Sequence, residues 1–292
     1  MKKAFMTVLS LVLLAGCASA GTTEERDPSI GAGIPDSATG RLAEIKERGY
    51  LTVATEPYWI PNEFIDPTKT GDEQYVGSDI ELARYIADKM GVELRIVPLE
   101  FTAVLSSVPE GKYDLAISAL AYTPLRAEAM EMSQGYYFST ENAGYGILIP
   151  ETLKDSIRNA EDLKDYTIIT QSGSIQELMV NEQVPAYKEF KRVSSMTDAY
   201  LAVQEGKADA AIVARSSAQL YVDNNPGCGL VVLDYKFILP PEYDGTRIGM
   251  KKGETDLLDF VNGCIDELNE TGQYNEWYDY YTEYGRQLGI EN

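Results

Sequence analysis

The chain contains no histidine. That absence removes the Ser-His-Asp and Cys-His pairs, His-ligated zinc, and an imidazole titrating near neutral pH. Carboxylate and lysine chemistry stays open. Cysteine is scarce, with three residues, and basic side chains are outnumbered: 25 Lys and Arg face 46 Asp and Glu, for a formal charge of −21. A phosphate-binding face needs a surplus of Lys and Arg to displace counterions, and no such cluster occurs, which argues against nucleic acid as a partner. Long apolar runs are also missing, apart from residues 4–15, which are too few to span a bilayer. What remains suits a folded protein. Hydrophobic residues make up 44% of the chain, enough to bury a core, and 292 residues fit one or two domains.

Lys2 and Lys3 precede the apolar run, the charge-then-apolar layout of a secretory signal. The run ends in Leu14-Ala15-Gly16-Cys17, which looks like a bacterial lipobox. Residues 1–16 are therefore expected to be a lipoprotein signal peptide and Cys17 the lipidated residue, the alternative being an ordinary signal with a chance cysteine. Residues 17–41, rich in Gly, Ser, Thr, Ala, Pro and charge without apolar periodicity, read as a flexible tether.

Strand and helix signals alternate from about residue 42. The pattern predicts a helix over 42–48 stopped by Gly49 and a strand over 50–55. Ser78-Asp79-Ile80-Glu81 reads as a capping box opening a helix that Gly91 closes. Strands over 93–97 and 114–118 flank a helix starting near Thr102. Such βα units imply an α/β fold with a parallel-rich sheet. The second half repeats the scheme, with strands over 166–170 and 209–213 and helices over 174–181 and 196–204. One echo is explicit: Glu110-Gly111-Lys112-Tyr113-Asp114-Leu115-Ala116-Ile117 recurs as Glu205-Gly206-Lys207-Ala208-Asp209-Ala210-Ala211-Ile212. It points to two lobes of similar topology. The stretch 254–288 is helical, interrupted at Gly272, and its aromatics at helical spacing read as core or lobe packing.

The densest constellation is Asp114-Leu115-Ala116-Ile117-Ser118-Ala119-Leu120-Ala121-Tyr122-Thr123-Pro124-Leu125-Arg126. A buried strand ends in small residues that leave backbone groups open to a ligand, Pro124 starts a helix that Thr123 can cap, and Arg126 projects from its first turn. The positive end of a helix dipole does not favour a cation, so an arginine there suggests a collected anion. A surface arginine paired with Glu128 or Glu131 is the alternative.

This segment, followed by Met132-Ser133 and Gly135-Tyr136-Tyr137, resembles the core signature of bacterial extracellular solute-binding proteins of family 3, the receptors of polar amino-acid ABC importers. Gly77-Ser78-Asp79, Gln171-Ser172-Gly173-Ser174 and Gly245-Thr246-Arg247-Ile248-Gly249-Met250 support it, and the resemblance covers about residues 42–286. It implies a type II periplasmic-binding-protein-like fold, with two lobes joined by two crossing strands. Lobe one would hold residues 42–145 and 246–292, lobe two 150–240, with hinges near 143–150 and 239–246. Cys228 and Cys264 would then lie in different lobes, as two free thiols or as a disulfide restraining the hinge.

The resemblance also assigns a site. The guanidinium matching Arg126 clamps a ligand carboxylate, helped by groups matching Ser118, Ala119 and Ala121; a planar fork suits a carboxylate as lysine cannot. Gly173 and Ser174, at a helix start, would complete the anion site, and capping by Ser172 or Ser174 can coexist with that role. Tyr58 and Trp59 match an aromatic wall, and Glu56 an acid that in some members receives a ligand amine; either can instead be local packing. One departure stands out. The family usually places an aspartate for the ligand ammonium five residues beyond the position matching Asp209, and here that residue is Ala214. Either Glu56 or another acid takes over, or the ligand is not a standard α-amino acid. The expectation is a lipid-anchored, extracytoplasmic monomer without cofactor or metal. It captures a small carboxylate-bearing solute, makes or breaks no bond, and meets an ABC permease and its ATPase. An enzyme on the same fold, as in periplasmic dehydratases, and a sensor without transport are the rivals.

Overall fold

The computed structural model describes residues 31–138 and 144–289. The signal segment, Cys17 and the first part of the tether lie outside the described residues. The rest of the tether differs from expectation, because residues 31–39 are docked. Ile34 is buried in the first core, the Gly31 amide donates to the Gly91 carbonyl at 2.7 Å, and Lys46 Nζ donates to the Ile34 carbonyl. A Cβ on Gly33 would fall 1.7 Å from the Lys89 carbonyl oxygen, so only glycine allows this approach. One apolar anchor and two glycines hold a stretch that composition alone marks as loose. The first helix then spans Gly40–Arg48.

Two five-stranded sheets carry the fold. In the first, Glu93–Pro98, Tyr50–Thr55 and Leu115–Ala121 run parallel, and Thr246–Met250 and Glu131–Met132 follow, with Thr246–Met250 antiparallel to both neighbours. In the second, Glu189–Val193, Thr167–Gln171 and Ala210–Ala214 run parallel, and Tyr145–Pro150 pairs antiparallel between Ala210–Ala214 and Leu230–Val232. Each sheet anchors one lobe. The repeated octapeptide has a physical basis in this plan. Asp114 Oδ2 accepts the Thr52 amide at 2.7 Å, and Asp209 Oδ2 accepts the Thr167 amide at 2.7 Å. In both lobes an aspartate before the third strand locks that strand's register to the first. The preceding glycines, Gly111 and Gly206, take φ of +76° and +70° to end the helical segment.

The first core packs Leu51, Val53, Leu82, Ile86 and Met90 against Leu257, Val261, Ile265 and Leu268 of the helix Thr255–Thr271. Each such side chain contributes roughly 1.5–3 kcal/mol on burial. The following helix, Gln273–Leu288, supplies Tyr274, buried in the same core. The C-terminal aromatics are thus chiefly packing residues. Cys228 packs in the second lobe and Cys264 in the first, and both are free thiols. No helix among the described residues is long and apolar enough to cross a membrane.

Two local expectations fail for identifiable reasons. The helix Ser78–Met90 has no capping box: Gly77 is its N-cap, and Ser78 and Asp79 donate their amides to the Pro61 and Asn62 carbonyls. The helix start is buried against that loop, so backbone oxygens satisfy the groups a capping side chain would serve. This frees Ser78 to bond Tyr274 and Glu81 to accept from Tyr281. The second crossing is irregular, not a strand, until Thr246, because Pro240 and Pro241 lack amide donors and open a 3-10 turn over Pro241–Tyr243.

Candidate functional site

The strand Leu115–Ala121 runs past its expected end, and its last residues reach the cleft between the lobes. Ala119 has φ of +46°, in the left-handed region where a side chain is strained. Its amide donates to Asp79 Oδ2 at 2.7 Å, which holds the turned backbone. Thr123 caps the helix Pro124–Ala129 by accepting the Arg126 amide at 3.2 Å. That cap sends the Arg126 side chain into the cleft.

Arg126 is 7% exposed and has no carboxylate within ion-pair distance among the described residues. Pairing with Glu128 or Glu131 does not occur. Its guanidinium donates to the Ala121 carbonyl at 2.7 Å and, across the cleft, to the Gly173 carbonyl at 3.0 Å, with Phe101 packed 5.3 Å from it. Burial without an anion lowers its pKa to about 10. A second bridge crosses beside it: Gln171 Nε2 donates to both oxygens of Glu56, at 2.7 and 2.8 Å. The cavity between these bridges measures about 50 Å³, room for one or two waters. The lobes are closed upon one another, and a larger solute enters only if these two bridges part.

Two buried acids line this inner cavity. Burial pushes Glu56 up to about 8; Gln171 opposes the shift, and Glu100 and Asp198 add to it. Glu63 is fully buried and lies well above the usual carboxylate range, chiefly by burial, with Asp79 adding to the shift. Ser118 ties the two together, accepting the Glu56 amide and donating to Glu63, each at 3.0 Å. The linkage sign follows from the raised value. Between its ordinary 4.5 and about 8, Glu56 holds a proton in the closed form that it lacks when exposed. Its contribution is therefore greatest below pH 4.5 and declines as pH rises to 8, by at most about 1.4 kcal/mol per pH unit. Glu56→Gln is expected to flatten this decline in denaturant unfolding measured from pH 5 to 8.5. An unchanged slope in the variant would remove Glu56 as the titrating group.

The candidate residues divide into three groups. Glu56, Trp59, Ser118, Ala119, Ala121, Arg126 and Ser174 line the inner cavity together. Ala214 lines an adjoining outer cavity of about 110 Å³. Tyr58, Ser172 and Gly173 do not line either. Tyr58 is 53% exposed and faces a separate cleft, and the Ser172 amide is bonded to the Val193 carbonyl. At the lobe-two helix Ile175–Gln183, Ser174 caps by accepting the Glu177 amide, and the Gly173 amide donates to the Glu177 carboxylate. The amide expected to face an anion is therefore engaged by its own helix, and the Gly173 carbonyl faces Arg126 instead. Sequence reasoning missed Glu63, Phe101, Tyr145 and Gln171. Gln171 carried a signal, as the first residue of Gln171-Ser172-Gly173-Ser174. Glu63, in a short strand after an irregular loop, carried none.

Two similar lobes closing on a polar cavity with a buried guanidinium define a solute-capture protein of the periplasmic-binding type. The chain belongs to the bacterial extracellular solute-binding proteins, family 3, whose family model matches residues 51–284. It is 28% identical to the arginine-binding extracellular protein ArtP of Bacillus subtilis over 76% of this chain and 82% of that one. It is 24% identical to the L-cystine-binding protein TcyJ of Escherichia coli, over 93% and 91%. Among solved structures, an amino acid ABC transporter substrate-binding protein from Streptococcus pneumoniae bound to L-arginine superposes with a TM-score of 0.74. That structure is 30% identical, over 82% of this chain and 97% of its own. An ancestral amino-acid-binding protein, AncCDT-1, described as a precursor of cyclohexadienyl dehydratase, gives 0.71 at 27% identity, over 83% and 100%. These relatives are binding proteins, and the family's members are extracellular or periplasmic.

Proposed function

We propose that this protein is the solute-capturing subunit of an ABC importer, taking an amino acid between its lobes by the carboxylate. Arg126 carries the reading: a buried guanidinium whose hydrogen-bond partners among the described residues are two carbonyls, one from each lobe, lacks the anion that its fork best accommodates. A ligand carboxylate would replace the Gly173 carbonyl on Arg126, and re-closure would then depend on the ligand. The named ligands of the relatives, arginine and cystine, support an amino acid as the class. The closed pair of lobes would present one surface to a permease driven by a cytoplasmic ATPase. Cys17, lipidated, would keep the monomer at the outer face of the membrane.

The experiment is a thermal-shift panel of the twenty L-amino acids on the chain beginning at Thr22. A ligand at about 100 times its Kd adds about 2.7 kcal/mol of stability. A panel without any shift sinks the reading. The enzyme reading draws on Glu56, a buried acid in the cleft that burial pushes up to about 8, within the range of a proton donor at neutral pH. Product formed from any ligand the panel identifies would decide for it.

A further inference from the structure

The outer cavity shares Trp59, Ala119, Ala121 and Tyr145 with the inner one, so the two are compartments of one cleft. An α-amino acid brings a carboxylate and an ammonium on one carbon, so the acceptor for the ammonium must lie close to Arg126. Glu56 and Glu63 are poor acceptors, because burial favours their neutral forms and Ser118 already holds one oxygen of Glu63. On the lobe-two side the outer cavity is walled by Ala214, which carries no charge.

One carboxylate lines the outer cavity among the described residues, that of Asp244. It sits in the second crossing between the lobes, just after the turn Pro241–Tyr243. Its Oδ1 accepts the Gly245 amide at 2.9 Å, which fixes the rotamer. Gly245 is held in turn, with φ of +88° and Phe138 so close that a Cβ would lie 2.7 Å from its ring. No cation among the described residues lies within ion-pair distance of Asp244. Tyr145 lines both cavities, and its hydroxyl, pushed up to about 12 chiefly by burial, feels Arg126 lowering and Asp244 raising its value. The cleft thus holds, on either side of one tyrosine, a cation without an anion and a carboxylate without a cation.

We propose that Asp244 is the specificity-determining acid of the cleft, receiving the ammonium of an α-amino acid whose carboxylate lies on Arg126. This rests on the amino-acid reading and adds to it that the charge partner comes from the interlobe crossing, not from lobe two. Because the crossing is shared by both lobes, the ammonium would be engaged before closure is complete.

The test uses the full chain in detergent, wild type and Asp244→Asn, titrated calorimetrically with the tightest-binding of the twenty L-amino acids and with the same molecule lacking its α-amino group. Asparagine keeps the Oδ1 acceptor for Gly245, so the turn and the melting temperature should be preserved. Asp244→Asn is expected to weaken the amino acid about 10- to 100-fold and to leave the deaminated acid within about twofold. Equal losses for both ligands, or none for either, overturn the assignment while leaving capture through Arg126 in place. Wild-type protein that binds the deaminated acid as tightly as the amino acid overturns it too. If no amino acid binds, the reading beneath it has failed, and the assignment with it.

Discussion

Arg126→Ala should strongly weaken capture of any carboxylate ligand, with a loss of about 2–5 kcal/mol, roughly 30- to several-thousand-fold in Kd. The guanidinium is buried and faces the cavity, so a ligand carboxylate there meets a desolvated fork for which no other cation in the inner cavity can substitute. Arg126→Lys should recover only part of the loss, since an ammonium keeps the charge and loses the paired geometry. The unliganded variant should remain folded: two hydrogen bonds to carbonyls are lost, and the cost of burying an unneutralised charge is relieved in exchange. Calorimetric titration separates these effects. A ligand whose affinity survives Arg126→Ala within threefold would place the anion site elsewhere.

Asp79→Ala should damage the fold severely. This fully buried carboxylate accepts the Ala119 amide at 2.7 Å, the Tyr274 hydroxyl at 2.6 Å and the Tyr136 hydroxyl at 2.9 Å. Removing it takes the acceptor from the buried Tyr136 hydroxyl and the part-buried Ala119 amide, at a cost of about 1–3 kcal/mol each, and from the Tyr274 hydroxyl, which can turn to Ser78. A net loss on the order of 4 kcal/mol is expected in denaturant unfolding. Tyr136→Phe, which deletes one donor and leaves the carboxylate, should cost about 1 kcal/mol. The function should fall with the fold, because Asp79 holds Ala119 at positive φ and so sets the end of the strand that precedes Arg126. If Asp79→Ala costs under 1 kcal/mol, the network is not what holds that strand end.

The parts of the molecule legible in its sequence are those governed by local pattern. Apolar periodicity and glycine stops located the helices to within a few residues, except Arg215–Asn224, and half of the ten strands in the two large sheets, and the Asp114 and Asp209 echo marked the two lobes because the same hydrogen bond recurs in each. Thr123, Pro124 and Arg126 were readable as a cap, a first helical residue and a projecting cation, since all three roles are set within four residues. The failures were contacts between segments far apart in the chain. Ser78 was a plausible cap until the loop at Pro61 and Asn62 supplied the acceptors, and residues 31–39 looked loose until Ile34 met the core.

The sequence by itself determined the class: no histidine for imidazole chemistry, two βα lobes, and an arginine at a strand end suited to a carboxylate. Only the tertiary structure decided how the cleft is arranged. It set Gln171 against Glu56 and Gly173 against Arg126, buried Glu63 beside Ser118, and brought Asp244 to the cavity that Ala214 lines. The physical reason is range. Helix, strand and cap preferences act over a few residues, whereas burial and charge pairing in a cleft depend on groups that closure brings together across 47 to 115 positions of chain.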